Sequence, residues 1–275
     1  MSRKSKRNKQ AKKKKRYSSD LSRGQWKDIR RFFFKKETTV GRPNKYCLKE
    51  ILNAIFYLLH TGCQWRELPK DLPRWQSVYY HFRKWQRTGL IEEIHTFLRN
   101  RARKRLGREE SPSLGAIDSQ SVKASDQTEN TGYDAGKKVK GVKTHIIVDC
   151  LGMLLRLCVL PADIQDRDGA KILLDGLKEQ YPRLKKVNAD SAYGGQLEVW
   201  TSETQGFDLE IVKKKEKGFK LLPQRYFVER TFSWLLKNRR LSKCYERLHT
   251  SMEAFVLLSM VKLLLNRSEY PEEQI

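Results

Sequence analysis

Between residues 114 and 212 short apolar runs alternate with amphipathic stretches in the order β-β-β-α-β-α-β, and no other feature of the chain restricts its fold so much. Leu114-Gly-Ala-Ile117 predicts a first strand. Thr144 to Asp149 and Met153 to Leu160 predict two more, around the turn Asp149-Cys-Leu-Gly152. A helix is expected from about Asp168 to Gln180, with Ile172, Leu173, Leu174 and Leu177 buried. A strand at Leu184 to Ala189, a helix from about Gly194 to Glu203 and a strand at Asp208 to Val212 complete the order. The result is an α/β unit, a mixed five-stranded sheet flanked by helices. Helix returns at Arg225 to Arg240 and at about Ser251 to Asn266.

Residues 20–106 have helical periodicity instead. Trp26, Ile29, Phe33 and Phe34 are the apolar positions of a first helix, and Leu48, Ile51, Leu52, Ile55, Phe56 and Leu59 those of a second, from about Lys45 to His60. After Thr61-Gly62 and a turn bracketed by Pro69 and Pro73, a third helix starts at Arg74. Trp75, Val78, Tyr79, Phe82 and Trp85 form its apolar side, with Arg83, Lys84 and Arg87 off it. A fourth runs from Leu90 to Leu106. A basic, aromatic-rich helix after a compact turn fits a helix-turn-helix variant that contacts DNA through Arg83, Lys84 and Arg87. A plain helical bundle fits the same pattern.

Charge favours a polyanionic partner. Lys and Arg number 57 against 32 Asp and Glu, a formal net charge of +25. Residues 1–16 hold ten Lys or Arg and no acid. Such a block repels itself and suits either an electrostatic arm for DNA or a solubilising tail. The stretch Gly132 to Lys143 is rich in glycine and lysine, so Lys137, Lys138, Lys140 and Lys143 are candidates to follow a DNA backbone, unless it is only a mobile hairpin loop. The five cysteines, at 47, 63, 150, 158 and 244, include no C-x2-C pair, which argues against a zinc ribbon or a disulfide framework and fits reduced thiols in the cytoplasm. No apolar run is long enough to span a membrane. The expected division is a basic arm at 1–17, a helical DNA-binding domain at 18–110, the α/β domain with a C-terminal helix at 111–267, and a tail at 268–275.

Three acids carry the chemistry. Asp118 follows the first apolar run and Asp190 follows Leu184 to Ala189. Residues at strand carboxyl ends open into the crevice where α/β sheets bind ligands. If the two strands are neighbours their carboxylates converge, and they repel unless a divalent cation lies between them. An oxygen-only ligand set favours Mg2+ or Mn2+ over zinc. Glu229 lies beside the apolar stripe of Val228, Phe232 and Leu235, one turn after Arg225. Taken singly, each Asp reads as a turn or helix cap and Glu229 as a surface partner of Arg225; the case rests on their common placement.

The chain resembles the insertion-sequence-five family of bacterial transposases, within the DDE group on the ribonuclease-H-like fold. The segments that carry the resemblance are Gly62-Cys-Gln-Trp-Arg-Glu-Leu-Pro69, Ile117-Asp-Ser-Gln-Ser-Val122, Gly132-Tyr-Asp-Ala-Gly-Lys-Lys138, Ala162-Asp-Ile-Gln-Asp-Arg-Asp-Gly-Ala170, Ala189-Asp-Ser-Ala-Tyr-Gly194 and Val228-Glu-Arg-Thr-Phe-Ser-Trp234. The resemblance implies that Asp118, Asp190 and Glu229 are a DDE triad holding two Mg2+ or Mn2+ ions per active site. It implies binding to double-stranded DNA, both the element's terminal inverted repeats and the target, and cleavage followed by strand transfer in the bacterial cytoplasm. A homodimer on DNA is the expected assembly. The wider group often places Tyr, Arg and Lys at seven before, four before and seven after the Glu. Arg225 matches, Leu222 and Leu236 occupy the other two slots, and Lys237 stands one step beyond. A ribonuclease-H-like nuclease that cuts without joining, or an inert DNA-binding regulator descended from a transposase, are the alternatives.

Other residues have plainer expectations. Asp149 makes the hairpin turn, and Asp163, Asp166 and Asp168 read as caps of the following helix. His145 is expected to be packed or bonded to backbone. Tyr193 and Trp200 fit core packing better than stacking on an unpaired base.

Overall fold

The computed structural model describes residues 17–34, 45–212 and 223–268. The basic arm, apart from Tyr17, and the tail beyond Ser268 lie outside the described residues, as do residues 213–222.

Four helices come first: α1 (Arg23–Phe33), α2 (Leu48–Thr61), α3 (Trp75–Arg87) and α4 (Leu90–Arg105). Reciprocal capping starts α1. Ser22 Oγ accepts from Gln25 N, and Gln25 Oε1 accepts from Ser22 N, each at 3.0 Å. Phe32, not Phe34, joins Ile29 and Phe33 in the core, and Phe34 is exposed at the helix end. Gly62 stops α2 in the left-handed region, with φ 72°.

The sheet follows as β1 (Leu114–Lys123), β2 (Gly132–Asp134), β3 (Val139–Asp149), β4 (Leu154–Pro161), β5 (Lys186–Ala189) and β6 (Asp208–Ile211). Its order is β2-β3-β1-β5-β6, with β4 also paired to β3. β1 pairs antiparallel with β3 and parallel with β5, and β5 pairs parallel with β6. The five expected strands are present, and β2 is a sixth, short one where a loop was expected. β1 also runs six residues past Ile117. Pairing with β3 from Gly115↔Asp149 to Lys123↔Gly141 carries it through Ser119, Gln120 and Ser121, which apolar patterning cannot flag. Gly141 allows a close approach of these strands: a Cβ there would lie 2.0 Å from Val122 O. Gly141→Ala is therefore expected to cost about 1–3 kcal/mol of stability in denaturant titration. A loss below about 0.5 kcal/mol would contradict the close approach.

The expected helix at 168–180 divides into α5 (Asp166–Leu174) and α6 (Leu177–Gln180) at Gly176, whose φ is 64°. Ala170, Leu173, Leu174 and Leu177 form its buried stripe. Ile172 lies off that stripe and is 55% exposed, contrary to expectation. α7 (Gln196–Trp200) continues into a π-helical turn, Thr201–Gln205. α8 (Pro223–Leu236) and α9 (His249–Ser268) close the described chain.

Alternating side chains give the sheet two apolar faces. Ala116, Ile146 and Val148 join a core with α8, α9 and the four N-terminal helices, while Ile117 and Ile147 join one with α5, α6 and α7. The N-terminal helices thus share their core with α9. Two buried arginines of α4 add polar ties to the sheet. Arg99 donates to the Leu154 carbonyl of β4 at 3.4 Å and to Tyr181 Oη at 2.7 Å, and Arg103 is ion-paired to Asp149. Asp149 makes the expected turn as well, its Oδ1 accepting from Leu151 N and Met153 N at 2.9 and 2.8 Å.

Candidate active site

Parallel pairing of β1 with β5 ends at Ala116↔Asn188. Two residues further along each strand stand Asp118 and Asp190, at matched level. A step of two keeps both on the face of Ala116 and Asn188, the face that α8 covers. Asp118 is therefore not at the end of its own strand, as the apolar run suggested. It stands where the parallel neighbour ends, and that divergence opens the crevice. Asp190 does follow its strand. Its Oδ1 accepts from Ala192 N at 2.9 Å and fixes the turn Ser191–Tyr193, while Asp118 Oδ1 accepts from Ser119 N at 2.7 Å.

Glu229 comes from above. Val228, Phe232 and Leu235 bury one side of α8 against β1, β3 and β5, leaving Glu229 exposed at its margin. The three acids share a face without forming a compact cluster: among the described residues no three His, Cys, Asp or Glu side chains are grouped closely enough to hold a metal ion. Carboxylates drawn that close repel one another unless a cation joins them. The surroundings fit an oxygen-ligated cation. Asn188, one level below the aspartates, is 2% exposed with no hydrogen-bond partner for Oδ1.

Tyr193 is 1% exposed, in the core as expected, and Trp200 is half-buried against the same cluster. The Tyr193 hydroxyl neighbours Ser119 without a well-formed hydrogen bond. Burial, with the negative charges of Asp118, Asp166 and Asp190, pushes its phenol far above the ordinary value, so it stays protonated.

The opposite face of β1 carries a polar cluster. Lys143 is 5% exposed, its Nζ 3.1 Å from Asp166, 3.6 Å from Asp134 and 2.8 Å from the Ile164 carbonyl that accepts from it. Burial opposes the ionisation of Asp166, but the Ser119 hydroxyl and the ammonium groups of Lys143 and Lys137 outweigh it and hold its carboxyl low. Asp166 is no cap: Gln165 occupies that position and α5 has no side-chain cap bond. His145 is packed, as expected, with neither ring nitrogen hydrogen-bonded among the described residues. Burial lowers its pKa to about 4, and that of the buried His95 to about 3. Both take up protons more readily when unfolded. Stability is expected to be complete above about pH 6.5 and to fall below it, by about 1.4 kcal/mol per pH unit for each imidazole down to its folded pKa. Denaturant titrations from pH 7 to 4 on His145→Gln and wild type would show it; equal slopes would contradict the assignment.

The candidate DNA contacts divide. Lys84, Arg87, Lys138, Lys140 and Lys237 are exposed. Lys143 is committed to the carboxylates of Asp166 and Asp134, a correction that follows from its place inside β3. Lys137 turns its ammonium onto Ser119, and Arg83 bonds Gln86 and Ser251 at 2.7 and 3.0 Å, which ties α3 to α9. Arg225 falls within α8, but its side chain lies outside what is described. Sequence reasoning missed Asp134 and Asp166 as network members. The one available signal was the pair of hydroxyls at Ser119 and Ser121, alternating with Asp118 along one strand.

Residues 21–95 match the family model described as "Putative transposase of IS4/5 family", and residues 109–264 match the one described as "Transposase DDE domain". The second match spans more than half of the 275 residues. No curated protein matches the chain.

Proposed function

The chain belongs to the IS4/5 family of DDE transposases, polynucleotidyl transferases with a ribonuclease-H-like domain, and from that membership we propose that Asp118, Asp190 and Glu229 are its catalytic acids. The observation that carries this reading is the matched level of Asp118 and Asp190, two residues past the last paired residues of β1 and β5, beneath the helix that bears Glu229. Asp118, Asp190 and Glu229 would together hold two Mg2+ or Mn2+ ions. Bound there, the ions would acidify an attacking water and stabilise the leaving 3′ oxygen of a phosphodiester. No side chain serves as covalent nucleophile.

The chain's own residues supply placement. β1 and β5 carry the two aspartates at one end of the sheet, and α8, packed on the same face, carries Glu229. Lys84 and Arg87 on α3, Lys138 and Lys140 on the β2–β3 hairpin and Lys237 just past α8 offer exposed cations to DNA phosphates, and Arg225 stands one turn before Glu229 on α8. The DNA is the element's terminal inverted repeats and its target, in the bacterial cytoplasm, and a homodimer would hold two ends together for joining. The helical region at 18–110 is the proposed end-binding part. Among the described residues, no helix is long and apolar enough to cross a membrane.

The test supplies the full chain with oligonucleotides carrying the element's ends and a target duplex. Cleavage and joining are expected with Mg2+ or Mn2+, and binding without efficient chemistry with Ca2+. Full activity in excess chelator would sink the mechanism. Cutting without joining would make the protein a nuclease, and metal-independent binding with no nicking would make it a regulator.

A further inference from the structure

Several segments that carry the family resemblance supply no acid to the proposed triad, yet two of them converge on the segment that supplies Asp118. Gly132–Lys138 contributes Asp134 and Lys137, Ala162–Ala170 contributes Asp166, and Ile117–Val122 contributes Ser119 and Ser121. They meet around Lys143, on the face of β1 opposite Asp118. Ser121 Oγ donates to Asp134 Oδ2 at 2.6 Å, and Lys137 N donates to Asp134 Oδ1 at 3.0 Å. Ser119 Oγ donates to Asp166 Oδ1 at 2.7 Å. Lys137 Nζ donates to the Ser119 carbonyl at 3.1 Å and to its Oγ at 3.3 Å. Ser119 is therefore held by its carbonyl and its hydroxyl, while its N–H donates to Asp118 Oδ1 at 2.7 Å.

We propose that Lys143, Asp166 and Ser119 form a positioning relay for Asp118: the buried ammonium fixes Asp166, Asp166 and Lys137 fix Ser119, and the Ser119 N–H orients one carboxylate oxygen of Asp118. The proposal rests on reading Asp118 as a metal ligand. A buried lysine is a poor device for stability, because desolvation offsets much of what its ion pairs return. What such a network supplies is one defined arrangement of its members. A hydrogen-bond partner that orients a metal-binding carboxylate sets how closely the free protein resembles the loaded one, and so sets metal affinity. There is no slack in the packing either. A Cβ on Gly132 would meet Asp163 at 1.9 Å, so the hairpin that brings Asp134 and Lys137 is seated directly on the segment leading to Asp166.

The relay is tested by Mn2+ calorimetry on the full chain, alongside the Mg2+ concentration that gives half-maximal cleavage. Asp166→Ala should weaken both by roughly 10-fold, the low end of the effect of losing a hydrogen-bond partner of a metal ligand, because Asp166 acts on Asp118 through Ser119. Ser119→Ala should shift both in the same direction by a smaller factor. Asp166→Asn keeps an acceptor for the Ser119 hydroxyl and should recover part of the loss. In each, the metal midpoint should move more than the rate at saturating metal, a split that a merely structural role would not produce. Ser119→Ala removes a single hydroxyl and leaves the Lys143–Asp166 pair intact, so it decides the matter if Asp166→Ala fails to fold. Folded variants with wild-type Mn2+ affinity would overturn the relay. Asp118→Ala separates the two levels: wild-type Mn2+ binding by that variant would bring down the metal reading and the relay together. Lost binding there, beside unchanged binding in the relay variants, would bring down the relay alone.

Discussion

Replacing Asp118, Asp190 or Glu229 singly by alanine is expected to lower DNA cleavage by about 1,000-fold or more while leaving end-binding largely intact. Losing about 4 kcal/mol of transition-state stabilisation lowers a rate by three powers of ten, and a metal acting on developing charge supplies several kcal/mol. The expectation is not the same for an acid acting only through the fold. Asp118 and Asp190 are half-buried and Glu229 is exposed, so removing one carboxylate leaves no large cavity and should change the unfolding free energy little. Activity should collapse in a protein that still folds and still binds DNA. Cleavage rate, denaturant midpoint and end-binding affinity, measured together on each variant, separate the roles. Wild-type-like cleavage by any one of the three removes that residue from the site. Collapse of all three measurements together would instead make it structural.

Asp118 and Asp190 were legible because each follows an apolar run, and strand ends face the crevice of an α/β sheet. The level at which they meet was not legible, because it depends on where β5 stops pairing with β1, a fact about two segments 72 residues apart. Glu229 was legible as an acid beside an apolar stripe, since Val228, Phe232 and Leu235 repeat at helical spacing. The length of β1 was hidden by Ser119, Gln120 and Ser121, which are held in the strand by main-chain bonds to β3 and have no apolar pattern. Lys143 was misread for the complementary reason. A lysine in a glycine- and lysine-rich stretch reads as solvated, and only Asp134 across the β2–β3 hairpin and Asp166 further along the chain explain why it can be buried. Composition likewise suggested a boundary near residue 110. Packing adds what composition cannot show, that α9 lies in the core of the N-terminal helices.

Arg103→Met is expected to cost about 3–5 kcal/mol of unfolding free energy, the usual cost of removing one partner of a buried ion pair. Arg103 is 4% exposed and Asp149 0%, and methionine fills much of the arginine stem while leaving the carboxylate without its cation. Arg103 Nε also donates to the Glu109 carbonyl at 2.7 Å, so the same guanidinium secures the segment that leads from α4 towards β1. Asp149→Leu should be costly as well, because the Leu151 and Met153 N–H groups lose their acceptor. The double variant should cost less than the sum of the two, since deleting the second partner removes the uncompensated charge left by the first. Urea titration of the four proteins measures the coupling. An Arg103→Met loss below about 1 kcal/mol, in the range of exposed pairs, would show that the helical region is not anchored here. The same pair bears on truncation. A fragment of residues 18–108 keeps Arg103 but loses Asp149 and the whole of α9, so it would expose an apolar flank of α4 and an unpaired arginine. It should therefore melt well below the full chain, and end-binding by the helical region should be measured in the intact protein with the triad inactivated.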